Sequence, residues 1–146
     1  MEVSKMKLRT IPIFAMLILS LWLAACAPAP GTSVKVSCDD FSNQPNIIKQ
    51  LSVAAGSTFT VTLCSNATTG YKWSEAAQIS DPTVVQQTGH EFVSPEKTGL
   101  VGAPGNEVWT FKALKKGTST ITMEYGRPWE GGEKGVWIFT LTVTVN

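Results

Sequence analysis

The chain has 146 residues, 43% hydrophobic and 16% charged, with 12 Lys/Arg against 11 Asp/Glu. That length suits one domain of ordinary size behind a short leader. The near-balanced charge, with no basic stripe, removes electrostatic support for nucleic-acid binding. One histidine, His90, and three cysteines are too few ligands for a metal motif.

Lys5, Lys7 and Arg9 give the chain a basic start, and Ile11 to Leu23 is apolar apart from Pro12 and Ser20. This pattern is that of a secretory signal. It is shorter than the ~20 apolar residues a membrane span needs. Leu23-Ala24-Ala25-Cys26 resembles the lipobox of bacterial lipoproteins, in which the cysteine is acylated and becomes the new N-terminus. Residues 1–25 are therefore expected to be a lipoprotein signal peptide and Cys26 the lipidation site. Residues 26–33, rich in Pro, Gly and small side chains, are expected to form a mobile tether. The expected location is the cell envelope, with the domain lipid-anchored on the periplasmic or cell-surface face. The alternative is an ordinary signal peptide cleaved after Ala25 or Ala29. Removing the residues before Cys26 takes away Lys5, Lys7, Arg9 and Glu2, and leaves 9 Lys/Arg and 10 Asp/Glu.

Residues 34–146 read as one domain, expected to be a monomer. Cys38 and Cys64 remain once Cys26 is lipidated, and an even pair in an exported chain points to a disulfide. Two buried free thiols are the alternative. Closing the bridge would stabilise the fold by ~3–4 kcal/mol in the chain-entropy picture.

The periodicity is that of strands. Phe59, Val61 and Leu63 alternate with Thr58, Thr60 and Thr62. Trp109, Phe111 and Ala113 alternate with Val108, Thr110 and Lys112. Ile121, Met123 and Tyr125 alternate with Thr120, Thr122 and Glu124, and Trp137, Phe139, Leu141, Val143 and Val145 continue the pattern. Period-two alternation with Thr on one face predicts half-buried antiparallel strands. Ala55-Gly56, Thr69-Gly70, Asp81-Pro82, Lys116-Gly117 and Gly131-Gly132 supply the breaks. No helical window stands out, and Asp39-Asp40 reads as a solvated turn. The pattern predicts an all-β, immunoglobulin-like antiparallel sandwich. Cys64 and Trp73 mimic the immunoglobulin Cys…Trp pair, but no second cysteine follows Tyr125 by two residues, so the inter-sheet disulfide of that fold is not expected.

Three turn-forming segments sit between the strands: Asn66-Ala67-Thr68-Thr69-Gly70-Tyr71, Gly102-Ala103-Pro104-Gly105, and Arg127-Pro128-Trp129. Their order and spacing resemble the chagasin family of cysteine peptidase inhibitors, whose patterns read Asn-Pro-Thr-Thr-Gly-Tyr, Gly-x-Gly-Gly and Arg-Pro-Trp. The likeness runs from about Leu51 to the C-terminus. It implies a sandwich of seven to eight strands with the three loops clustered at one end as a wedge. That wedge would occlude the active-site cleft of a papain-like cysteine peptidase reversibly. By the same resemblance Thr68 and Thr69 would approach the catalytic cysteine, and Gly102, Ala103, Pro104 and Gly105 would pair along the cleft wall. Trp129, held by Pro128, would stack on aromatic residues beside the cleft, with Arg127 either crossing the interface or bracing the loops. Tyr71 is either part of that surface or structural.

Two departures from the family pattern bear on this surface. Ala67 stands where proline is usual, which would cost ~0.4–1 kcal/mol of preorganisation; a Cys38–Cys64 bridge would offset it by pinning the loop base. Pro104 stands in place of a glycine and removes one N–H donor. Asn66-Ala67-Thr68 is also a glycosylation acceptor pattern, which a glycan would use only at the expense of the loop tip.

Nothing in the sequence resembles a nucleotide fingerprint or a zinc site, so no cofactor is expected. His90 reads as a surface or strand-edge residue rather than a catalytic base, and no enzyme is expected. The alternative function is a carbohydrate-binding or adhesion module using exposed aromatics. Trp109 and Trp137 fall in the inward phase, which leaves Trp129 alone for that role.

Overall fold

The computed structural model describes residues 32–95 and 102–146. The expected signal peptide and Cys26 lie outside these residues. Strand β1 (Thr32–Val36) leads into a short helix α1 (Cys38–Asn43). Strands β2 (Asn46–Val53) and β3 (Thr58–Ser65) follow, then a 3-10 turn (Ala67–Thr69). Two-residue strands β4 (Lys72–Trp73) and β5 (Gln78–Ile79) precede β6 (Val85–Val93), β7 (Gly105–Ala113), β8 (Gly117–Gly126) and β9 (Trp137–Val145). One sheet has the order β1-β3-β7-β6. The other runs β2-β9-β8-β4, with β5 also on β8.

The alternation read from the sequence closes the core between these sheets. Phe59, Val61 and Leu63 of β3 face Trp109 and Phe111 of β7 within one layer, and Ile121, Met123, Phe139, Leu141 and Val143 form the other; all are buried. Burying each such large side chain contributes about 1.5–3 kcal/mol. The threonines between them point outward, where a β-branched side chain suits a pleated surface.

The architecture differs from the expectation in four respects. The described residues contain nine strands rather than seven to eight, because β4 and β5 each pair for only two residues. The sandwich is mixed: β1 runs parallel to β3, and β2 parallel to β9. The chain climbs β1 in one sheet, crosses the top of the sandwich through α1 and descends β2 in the other, which makes both first strands parallel to their partners. Asp39 and Asp40 are solvent-exposed as read, but they lie in the first turn of α1 rather than in an irregular turn. Ser37 caps that helix: its hydroxyl accepts from Asp40 N–H, while the Asp40 carboxylate accepts from Ser37 N–H at 2.9 Å. Finally, β1 takes in Thr32 and Ser33 from the expected tether, because their backbones ladder onto β3 opposite Phe59 and Thr60.

Cys38 and Cys64 are disulfide-bonded, with their Cα atoms 5.1 Å apart. The bridge ties α1 to the end of β3, and so is not the inter-sheet bridge of an immunoglobulin domain. Register fixes which end is which. Ser65 pairs with Gly105, Lys72 with Gly126 and Tyr125 with Trp137, so β3, β7, β4, β8 and β9 all meet their loops at one pole. Thr32, opposite Phe59 near the start of β3, lies at the other pole.

Candidate functional site

The three predicted loops converge at this pole. Asn66 is the hub of the first. Its side-chain oxygen accepts from Thr68 N–H at 3.2 Å and from the Thr68 hydroxyl at 2.6 Å, which caps the 3-10 turn. The Thr69 hydroxyl donates to the Asn66 carbonyl at 2.7 Å. Gly70 closes the turn in the left-handed region, φ 78°, a conformation in which only glycine escapes a Cβ penalty. Thr68 and Thr69 thus spend their hydroxyl protons inside the loop, and the Thr69 oxygen also accepts from Tyr71 N–H at 3.5 Å. This holds Ala67 in a defined turn without the proline of the family pattern.

Asn66 also joins the loops. Its side-chain amide donates to the Gly102 carbonyl at 3.2 Å, and its backbone N–H donates to the Tyr125 hydroxyl at 3.0 Å. Gly102 (φ 82°) lies close enough that a Cβ there would be 3.7 Å from the Thr68 hydroxyl. Ala103 is half-buried and Pro104 exposed. Gly105 sits at the junction of the loop and the sheet. It is buried, opens β7 in register with Ser65, and a Cβ on it would stand 2.5 Å from the Val93 carbonyl oxygen. Its backbone is engaged in the sheet, and residues 102–104 form the part of the loop outside it.

The third loop lies over the first. Trp129 is 51% exposed, and the edge of its ring rests on Gly70. The Arg127 guanidinium carbon lies 4.5 Å from the Tyr71 ring centroid and 5.7 Å from that of Trp129, a cation–π brace between loops. Of the two roles considered for Arg127, its position here is the bracing one. Tyr71 continues inward as a column of rings: Tyr71 on Tyr125 at 5.7 Å, Tyr125 on Trp137 at 4.7 Å, Trp137 on Phe41 of α1 at 5.0 Å. The loop cluster therefore rests on an aromatic pillar anchored by the disulfide-tied helix. The Tyr71 hydroxyl donates to Glu133, and that hydrogen bond raises the phenol above its ordinary pKa.

Motif reading missed Glu133, Lys134 and the supporting Phe41. The Gly131-Gly132 turn was the available signal, since it returns the chain past Arg127. His90 does lie on an edge strand, but it is partly buried, bonding Glu107 at 2.8 Å and lying 4.8 Å from the Trp109 ring centroid.

Comparison with known proteins agrees with this geometry. Residues 52–143 match the family model described as Chagasin family peptidase inhibitor I42. The chain is 33% identical over 87 residues to Amoebiasin-2 of Entamoeba histolytica, covering 58% of this chain and 68% of that one. It is 31% identical over 97 residues to Chagasin of Trypanosoma cruzi, covering 66% and 88%. In fold it is similar to the cysteine protease inhibitor EhICP2 from Entamoeba histolytica, with a TM-score of 0.61, 23% identity and coverage of 79% and 96%. It is also similar to PbICP-C, solved in complex with falcipain-2, with a TM-score of 0.59, 23% identity and coverage of 80% and 100%. The matched span takes in all three loops and the strands that bring them together, and the chain belongs to the chagasin family of peptidase inhibitors.

Proposed function

We propose that this protein reversibly inhibits papain-like cysteine peptidases by filling the active-site cleft with its three loops. The observation that carries the reading is their convergence: Asn66 bonds Gly102, and Trp129 rests on Gly70. The outcome is one braced surface with a half-exposed indole at its rim, the kind of residue that dominates binding energy. The match to the chagasin family of peptidase inhibitors and the similarity to PbICP-C, solved in complex with falcipain-2, support this choice of target class.

The chemistry of the described residues supports a binding protein rather than an enzyme. Ser65, Glu107 and His90 form the nearest thing to a catalytic trio, but their order is wrong. The buried Ser65 hydroxyl donates to Glu107 at 2.7 Å, and the carboxylate stands between it and His90. A nucleophile needs its base within hydrogen-bond reach. The carbohydrate-binding alternative loses its platform, since Trp73 and Trp109 are buried and Trp137 is stacked in the pillar.

Titrating the purified protein into papain tests the reading. Submicromolar reversible inhibition, weakened by glycine at Thr68 and Thr69, is expected; full papain activity at tens of micromolar inhibitor would overturn it. We propose further that the domain is exported and held at a membrane by a lipid on Cys26, a reading supported by the Leu-Ala-Ala-Cys motif and by a disulfide suited to an oxidising compartment. Cys26→Ser should release the protein from the membrane fraction and abolish palmitate labelling; retention of both would refute the anchor.

A further inference from the structure

The third loop does not end with its motif. After Trp129 the chain turns at Gly131 (φ 72°) and runs back along its own outgoing limb. The limbs approach backbone to backbone: a Cβ on Gly126 would stand 2.7 Å from the Glu133 carbonyl oxygen, and one on Gly132 2.8 Å from that of Arg127. Arg127 N–H donates to Glu133 O at 2.7 Å, and Gly132 N–H donates to Trp129 O at 3.1 Å. Pro128 has no N–H to add to this ladder. The Lys134 ammonium supplies what is missing. It donates to the Arg127 carbonyl and, at 3.0 Å, to the Trp129 carbonyl. One cation thus spans the turn, through charge-assisted bonds stronger than neutral ones.

We propose that Lys134 is a positioning residue of the inhibitory surface, holding the Arg-Pro-Trp turn so that the Trp129 indole lies on Gly70 before a peptidase arrives. The proposal rests on the inhibitor reading above. Glu133 extends the same device, since its carboxylate accepts the Tyr71 hydroxyl and ties the returning limb to the first loop. An exposed indole has little core to hold it, so the loop's own bonds must set its place. A protein whose competent state is only partly populated binds more weakly in proportion to that fraction. Loss of Lys134 should therefore slow association rather than speed dissociation.

Lys134→Met removes the ammonium and keeps most of the stem, and Lys134→Arg restores a cationic donor. Association and dissociation rates with papain are measured by stopped flow, and the Trp129 indole N–H is followed by NMR, assigned through Trp129→Phe. For Lys134→Met we expect association about tenfold slower, dissociation within about twofold of wild type, and a shifted or broadened indole signal. Lys134→Arg should recover most of the loss. Unchanged rates with an unchanged indole signal would overturn the proposal. So would faster dissociation at unchanged association, which would make Lys134 a direct contact. If wild-type protein leaves papain active, the inhibitor reading falls, and the indole signal alone decides whether Lys134 holds the loop.

Discussion

Trp129 occupies the space that a side chain on Gly70 would need: a Cβ there would stand 2.9 Å from Trp129 Cη2. Gly70 is also left-handed, so Gly70→Ala carries two separable penalties. The backbone one is roughly 1–2 kcal/mol. Gly56 provides the control, with φ 82° and nothing within 4 Å of a Cβ. Both alanine variants should lower Tm, but only Gly70→Ala should weaken papain inhibition, by tenfold or more on the order expected for a displaced anchor. Equal inhibition by the two would show that the Gly70–Trp129 contact is idle.

Trp129→Ala separates binding from folding in the opposite sense. The side chain is half-exposed, so its loss should leave Tm nearly unchanged while costing about 2–4 kcal/mol of affinity. Isothermal titration beside differential scanning calorimetry checks both halves.

Reduction of Cys38–Cys64 frees α1 and, through Phe41, the foot of the aromatic pillar. The double variant Cys38→Ser/Cys64→Ser should lose ~2–4 kcal/mol in urea unfolding. Its inhibition should weaken less than that of Gly70→Ala, because Asn66 still caps its own turn and bonds Gly102.

Glu107 is 5% exposed and serves three neighbours: the Ser65 hydroxyl at 2.7 Å, Trp73 N–H at 3.4 Å and the His90 ring at 2.8 Å. Glu107→Ala strands them together and should destabilise by ~2–4 kcal/mol. Glu107→Gln keeps an acceptor oxygen and should recover part of that, read from the urea midpoint.

Acid should remove the contribution of two capping carboxyls in a defined window. Hydrogen bonds from Ser37 hold the Asp40 carboxyl below its ordinary pKa, and those from Thr83 do the same for Asp81. A lowered folded-state pKa contributes stability above the unfolded value that is lost as pH falls through the folded one. The contribution of these two carboxyls to Tm should therefore be constant from neutral pH down to roughly pH 4 and then decline. Ser37→Ala should shallow that decline; an unchanged slope would exclude the Asp40 cap as a source.

What the sequence made legible depended on the range of each signal. Strands β3, β7, β8 and β9 span four or more side-chain alternations, enough for period two to declare itself and assign Trp109 inward and Thr110 outward. Strands β4 and β5 hold two residues each, too few for any period. Helix α1 is also too short for a 3.6-residue pattern, although Ser37 and Asp40 at capping-box spacing were there to be read. The parallel partners of β1 and β2 left no trace, because side-chain alternation is blind to which neighbour a backbone ladder meets. At the site, the motif loops could be matched as short strings. Lys134 could not, since its role lies in reaching two carbonyl oxygens and lysine side chains carry no local pattern for that.

The upward course of β1 decides how the molecule would sit on any support. Because Thr32 stands at the end of the sandwich remote from Trp129, a bead or fusion partner attached at that residue would sit away from the three loops. A molecule immobilised through that residue would leave the three-loop end open, and capture on a surface should match capture in solution.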